Sequence, residues 1–241
     1  MTGGSVELRI GQDVLDLFPD LAIGVVLGDV RAIGPSFEKV LTRARDDAMD
    51  QIDALAGLAL TEQPPIAVWR EAYRKFGAKP KKYAPTHEAL AKRLLKDQGF
   101  PEINPIVDLY LANQTRFLLP HGGYDLRSVV GPLSLERSAG GESFVPIGGS
   151  AEEVTEAGEV IYKDQVSVLT RRWNYKDCDR TKITHATSSF VLMIEVPETT
   201  AALPSIDAAA ETLARAFAEG FDGSFRFEVF RPAIQGDTLR M

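Results

Sequence analysis

Three histidine or carboxylate side chains stand out in this sequence as candidates for chemistry, and two of them fall in one stretch. Asn104-Pro105-Ile106-Val107-Asp108-Leu109-Tyr110 runs on to His121-Gly122-Gly123-Tyr124-Asp125-Leu126. An apolar pattern here carries polar side chains that a core alone does not require. Asp108 and His121 supply a carboxylate and an imidazole, groups suited to proton transfer or ligand anchoring. Gly122 and Gly123 let a ligand come close to the backbone. The stretch reads as the floor and one wall of a binding cavity. The competing readings are a loop histidine without a task, and Asn104 and Asp108 as braces of neighbouring loops.

Glu195 is the third candidate. It interrupts an otherwise apolar strand at residues 190–196. A carboxylate there must face solvent, pair, or line a cavity, because a buried unpaired charge is costly. Strand alternation puts it on the side of Met193 and Val191. It is either an outward-facing residue or a polar anchor for a ligand amine or hydroxyl. His87 reads as a surface residue in the first turn of a helix. His185, among Thr184, Thr187, Ser188 and Ser189, reads as a polar residue beside a strand. Cys178 lies between Asp177 and Asp179, whose charge disfavours a thiolate, so it is not expected to be a nucleophile. As the sole cysteine it excludes an intrachain disulfide and a cysteine-rich metal site. No GxSxG, HExxH, GxxxxGK[ST] or GxGxxG motif occurs. Neither a metal nor a cofactor is expected. Gly140-Gly141 and Gly148-Gly149 read as turns.

The net charge of -7 argues against a general nucleic-acid coat. Residues 70–96 reverse that balance locally, with nine Lys/Arg against Glu71 and Glu88. Lys79, Lys81 and Lys82 sit there in a proline-bounded loop. Arg171-Arg172-Trp173-Asn174-Tyr175 is a second polar-aromatic segment, difficult to bury whole. It reads either as a nucleotide-stacking surface or as a charged rim packing an aromatic. Met1-Thr2-Gly3-Gly4-Ser5 lacks the basic start and apolar run of an export signal. No apolar run approaches the ~18–20 residues a membrane span requires. The expectation is a cytoplasmic protein without a membrane partner.

These residues need elements to hold them. Strands are predicted at 5–10 and 21–28, and helices at 36–60, 66–76 and 86–98, closed by Gly57, Gly77 and Gly99. Residues 104–111 are a strand or the start of a helix. Short strands follow at 126–135, 143–147, 160–162 and 166–169, the last two forming a hairpin about Lys163-Asp164. Residues 151–158 form an acidic loop. A strand at 190–196, a helix at 205–221 and a closing strand at 225–230 complete the chain. Helices early and strands late give an α+β class, a mixed sheet core with helices packed on it. One domain over 1–241 is expected, helical to about residue 100 and β-rich from about 101.

Ile103-Asn104-Pro105-Ile106-Val107-Asp108 resembles the IN-x-[IV]-VD segment of the B3/B4 domain in the β subunit of bacterial phenylalanyl-tRNA synthetase. Pro120-His121-Gly122-Gly123-Tyr124-Asp125-Leu126 is similar to that domain's P-x-H-x-F-D-L segment, with one extra residue after the histidine. The hairpin region 158–169 and the strand ending in Glu195 follow in the same order. The preceding helices and Arg171-Arg172-Trp173-Asn174 resemble the free-standing members of the family. The resemblance implies a B3/B4-like fold and an editing site that hydrolyses misacylated tRNA. It implies His121 as the pocket histidine and Glu195 as the group that recognises the misplaced side chain. Asn104, Asp108, Gly122 and Gly123 would complete the substrate site, with Lys79, Lys81, Lys82, Arg171 and Arg172 on the tRNA. The small-residue AGxxGG wall of the synthetase is replaced by Val168-Leu169-Thr170-Arg171-Arg172, so amino-acid specificity does not carry over. The resulting expectation is a deacylase acting in trans on aminoacyl-tRNA. The alternative is a non-catalytic module binding RNA or an amino acid.

Overall fold

A four-stranded sheet divides the molecule into two cores. A computed structural model describes residues 5–149 and 151–241; the reading of the leader over 1–4 lies outside them. The sheet runs Phe221–Phe230, Ala22–Ile33, Ser189–Val196, His121–Asp125, all antiparallel. The strand Ala22–Ile33 shows why two cores are needed. Ala22 and Val26 point into one, Ile23, Val25 and Leu27 into the other. A strand apolar on both faces must be covered on both.

One face carries the helices Phe37–Ala54, Pro105–Phe117 and Ile206–Gly220. Their apolar stripes, with Val40, Ile52, Leu109, Leu213 and Phe217, close the first core. The other face packs on a six-stranded sheet in the order Thr238–Arg240, Glu7–Ile10, Leu133–Arg137, Val160–Lys163, Val168–Arg171, Lys176–Asp177. Only Glu7–Ile10 with Leu133–Arg137 pairs in parallel within it. The helix Pro64–Lys75 adds Trp69 and Tyr73 to this second core. The fold is α+β, as expected.

Several local expectations change. Residues 104–111 begin the helix Pro105–Phe117, because the Asn104 side chain accepts from Val107 N–H and Pro105 suits the first turn. The strand expected over 126–135 shortens to Leu133–Arg137, since Gly131 adopts a positive φ of 75°. Residues 143–147 keep only Ser143–Phe144, which pairs with Glu153–Val154 inside the expected acidic loop. The strand Phe221–Phe230 does not close the chain; a short helix and Thr238–Arg240 follow it.

Candidate functional site

His121 opens the strand His121–Asp125, and the register decides which way it faces. It pairs with Ile194, whereas Gly122 pairs with Met193. Paired residues share a face, and Ile194 belongs to the helix-side core while Met193 belongs to the inter-sheet core. The His121 ring therefore lies among the helices. Its Nδ1 is 2.8 Å from the Leu119 carbonyl, which only accepts, so Nδ1 carries the proton. Its Nε2 accepts from the Asn113 amide nitrogen at 2.8 Å; that nitrogen also donates to the Ala209 carbonyl. Burial lowers its pKa to about 4, so the imidazole is neutral with both nitrogens engaged. His87, expected at the surface, is buried against Trp69 with Nε2 at 3.3 Å from the Pro65 carbonyl. Its pKa falls to about 3, chiefly through burial.

Glu195 faces the other way, into the inter-sheet core, and is buried. Its Oε1 accepts from Tyr162 Oη at 2.5 Å and from Trp173 Nε1 at 2.8 Å. Its Oε2 accepts from Asn174 Nδ2 at 3.3 Å. Burial pushes its pKa up to about 7 against the pull of these three donors. A second chain of bonds runs beside it. Tyr124 Oη shares a 2.6 Å hydrogen bond with Thr170 Oγ1, which donates to Asp177 Oδ1 at 2.7 Å. Burial also raises the Asp177 carboxyl above its usual range.

These groups surround a cavity in two parts. An inner chamber of about 40 Å³ is bordered by His121, Gly122, Tyr162, Trp173, Asn174, Asp177 and Glu195. A Cβ on Gly122 would meet nothing within 4 Å, so this glycine opens into space. Gly123 is a packing requirement instead, since a Cβ there would lie 2.4 Å from the Val191 carbonyl. An outer cleft of about 430 Å³ lies along the same strand, with Asn104, Tyr124 and Asp177 in its lining. Asn104 is held there by its helix-cap bond and by a 3.1 Å bond to the Ile183 carbonyl. Asp108 lies away from the cleft lining. It accepts from Ile103 N–H at 2.9 Å and faces Arg45 at 3.7 Å, a bracing role.

The cationic candidates separate. Lys79, Lys81 and Lys82 are exposed. Their loop is fixed beside the chamber: the Tyr83 ring packs edge-on against Tyr175, and Thr86 and Tyr175 both border the chamber. Arg171 and Arg172 are buried, contrary to the reading that this segment resists burial. Arg171 pairs with Glu159 at 2.9 Å and with Glu153 at 3.0 Å. Arg172 pairs with Glu156 at 2.8 Å and with Glu159 at 3.3 Å, and stacks 3.8 Å over the Tyr83 ring. Buried guanidinium groups need such partners, which leaves neither free for a nucleotide. The acidic loop supplies these partners. Their backbone is strained as well: Arg172 and Trp173 have positive φ of 48° and 67°, which swings Trp173 into the core against Phe18 and Trp69.

Tyr162 and Asp177 were not among the residues singled out for the site, and Trp173 and Asn174 were read only as part of a segment that stacks on a nucleotide or packs a charged rim. Asp177 gave no such signal in the sequence; its place is set by strand pairing. Thr170 and Asp177 flank a tight turn and pair directly across it, which aims both toward Tyr124.

Sheets, helix layer and edge cavity together define an α+β domain with a two-part cavity beside a basic loop. The chain belongs to the B3/4 domain family, whose sequence profile matches residues 68–215. Among solved structures, an N-terminal fragment of the phenylalanyl-tRNA synthetase beta subunit from Pyrococcus horikoshii is similar, with a TM-score of 0.48 and 11% identity. The match covers 92% of this chain and 50% of that fragment, so the chain spans half the fragment's length. No curated protein matches the sequence. Among the described residues, no helix is long and apolar enough to cross a membrane.

Proposed function

We propose that the chain acts alone as a cytoplasmic hydrolase that removes amino acids from misacylated tRNA. The observation that carries this is the docking of the Lys79–Lys81–Lys82 loop against the cavity through Tyr83 and Tyr175. Phosphates on the loop would place the 3′ end of a tRNA at the cavity. An aminoacyl ester is already activated. A positioned water, aided by the terminal ribose hydroxyl, suffices without a protein nucleophile. The amino acid occupies the outer cleft, because the inner chamber of about 40 Å³ has no room for more than a small group. Glu195 then fixes the chamber wall through Tyr162, Trp173 and Asn174, and His121 fixes the edge strand from behind.

A screen of mischarged tRNAs with the purified chain should show release of at least one amino acid. Reversing Lys79, Lys81 and Lys82 to Glu should cut that release and weaken tRNA binding in a salt-dependent way. A screen in which no tRNA is deacylated would sink the reading. The engagement of both His121 ring nitrogens favours a second reading, a non-catalytic module that binds RNA without hydrolysis. It predicts the same salt-sensitive binding with no release.

A further inference from the structure

The outer cleft holds a carboxylate without a counter-charge. Asp177 is half-buried in the strand Lys176–Asp177 and borders both the cleft and the chamber. Its Oδ1 is taken by Thr170, and no described residue bonds its Oδ2. The nearby cations are engaged elsewhere: Lys176 with Glu153, Lys182 with Asp179, and Arg180 with Asp164. A partly desolvated carboxylate in this state favours a cation from outside.

The facing strand offers the complementary group. Pro120 O and Leu126 N bond to the strand Ser189–Val196, at Glu195 N and Ser189 O. His121 N and Asp125 N bond the other way, to Gln114 Oε1 and Thr181 O. Alternation therefore turns the Gly123 N–H and C=O to the same outer side as His121 and Asp125. Gly123 lines the cleft, and no described residue outside the sheet bonds its N–H. The remaining walls combine the apolar side chains of Val107, Ile183 and the half-exposed Ile103 and Ile147 with the polar Asn104, Lys182, Thr184 and His185.

We infer that Asp177 and the Gly123 backbone form an anchor pair for the ammonium and acyl carbonyl of an α-amino acyl ligand whose side chain is apolar. This rests on the preceding reading and assigns its substrate contacts. Asp177 accepts from the ammonium and Gly123 N–H donates to the carbonyl. The side chain packs on the isoleucines.

The test uses stable ligands with the full chain. L-leucinamide carries both polar groups, L-leucinol lacks the carbonyl, and 4-methylpentanamide lacks the amine. Binding is read by amide chemical shifts and calorimetry. L-leucinamide should bind at least about tenfold tighter than 4-methylpentanamide, the range of a charge-assisted hydrogen bond. It should also move the Gly123 amide resonance, and L-leucinol should bind more weakly without moving it. Asp177→Asn, which keeps size and the Thr170 contact, should bring L-leucinamide down to the affinity of 4-methylpentanamide. Equal binding of these two ligands to the wild-type chain, or no binding of any, overturns the inference. So does an Asp177→Asn variant that folds and binds L-leucinamide unchanged. The wild-type ligand series decides the matter alone if that variant fails to fold. Anchor-pair binding without deacylation of any tRNA would sink the hydrolase reading and leave this one standing. Deacylation with a KM indifferent to Asp177→Asn would do the reverse.

Discussion

The two faces of the strand pair Ser189–Val196 and His121–Asp125 treat ionisable groups in opposite ways. On the helix face, His121 is buried, neutral and bonded at both ring nitrogens. On the inter-sheet face, Glu195 and Asp177 are carboxyls whose pKa burial raises beside a cavity. Both faces desolvate their groups. The difference is room: both nitrogens of the His121 ring are taken by protein groups, whereas Glu195 borders the chamber and Asp177 borders the chamber and a cleft that helix Pro105–Phe117 also lines. The face that carries acid–base groups next to space is where a ligand can be read.

The largest test of this contrast is Glu195→Ala. It leaves Tyr162 Oη, Trp173 Nε1 and Asn174 Nδ2 without their acceptor in a buried site. Stability to urea should fall by about 3–5 kcal/mol, the cost of several orphaned buried donors. A loss below about 1 kcal/mol would show that water fills the chamber and takes over the bonds.

The pH dependence should have opposite signs on the two faces. Glu195 holds its proton in the fold up to about pH 7 but loses it near 4.5 when unfolded. The folded state binds more protons in that window, so its contribution falls as pH rises. His121 titrates near 4 in the fold and near 6.5 unfolded. The unfolded state binds more protons there, so its contribution grows as pH rises from 4 to 6.5 and is lost on acidification. Measured against Glu195→Gln and His121→Gln, each effect should be on the order of 3 kcal/mol, with opposite slopes. Slopes of the same sign would erase the distinction between the faces.

The smallest test lies in the glycine pair. Gly123→Ala drives a methyl against Leu192 and the Val191 carbonyl and should cost about 2 kcal/mol through overpacking. Gly122→Ala enters open space and should stay within about 0.5 kcal/mol. Thermal unfolding of both variants measures the difference, and equal losses would mean that the chamber is not open beside Gly122.

Much of the fold was legible because apolar periodicity is a local signal. The strand at 21–28, the hairpin about Lys163-Asp164 and the helix at 205–221 all follow from it. Glu195 was legible too, as one charge inside an apolar strand, but the alternation could not say whether that face met water or a second sheet. His121 borders the chamber beside Gly122, but the direction of its ring was not legible, because Gly-Gly neighbours suggest a loop while register with the strand Ser189–Val196 turned the ring toward the helices. Arg171 and Arg172 misled for a related reason. Charge predicts exposure unless partners are visible, and theirs come from Glu153, Glu156 and Glu159 on a separate loop. Asp177 was missed because an uncompensated carboxylate shows only once the surrounding cations are seen paired elsewhere.

The turn at Arg172 and Trp173 also limits how this protein can drift under mutation. Two successive residues in the left-handed region tolerate glycine or asparagine in backbone terms, yet either would lose the guanidinium at one position or the indole at the other. β-branched residues are disfavoured by the backbone itself. Single replacements therefore fail in one of two independent ways, and successful change here requires altering the acidic loop and Glu195 together. The cleft walls at Ile103 and Ile147 carry no such constraint. Variation in what the protein recognises has its open path there, while the turn behind the chamber stays fixed.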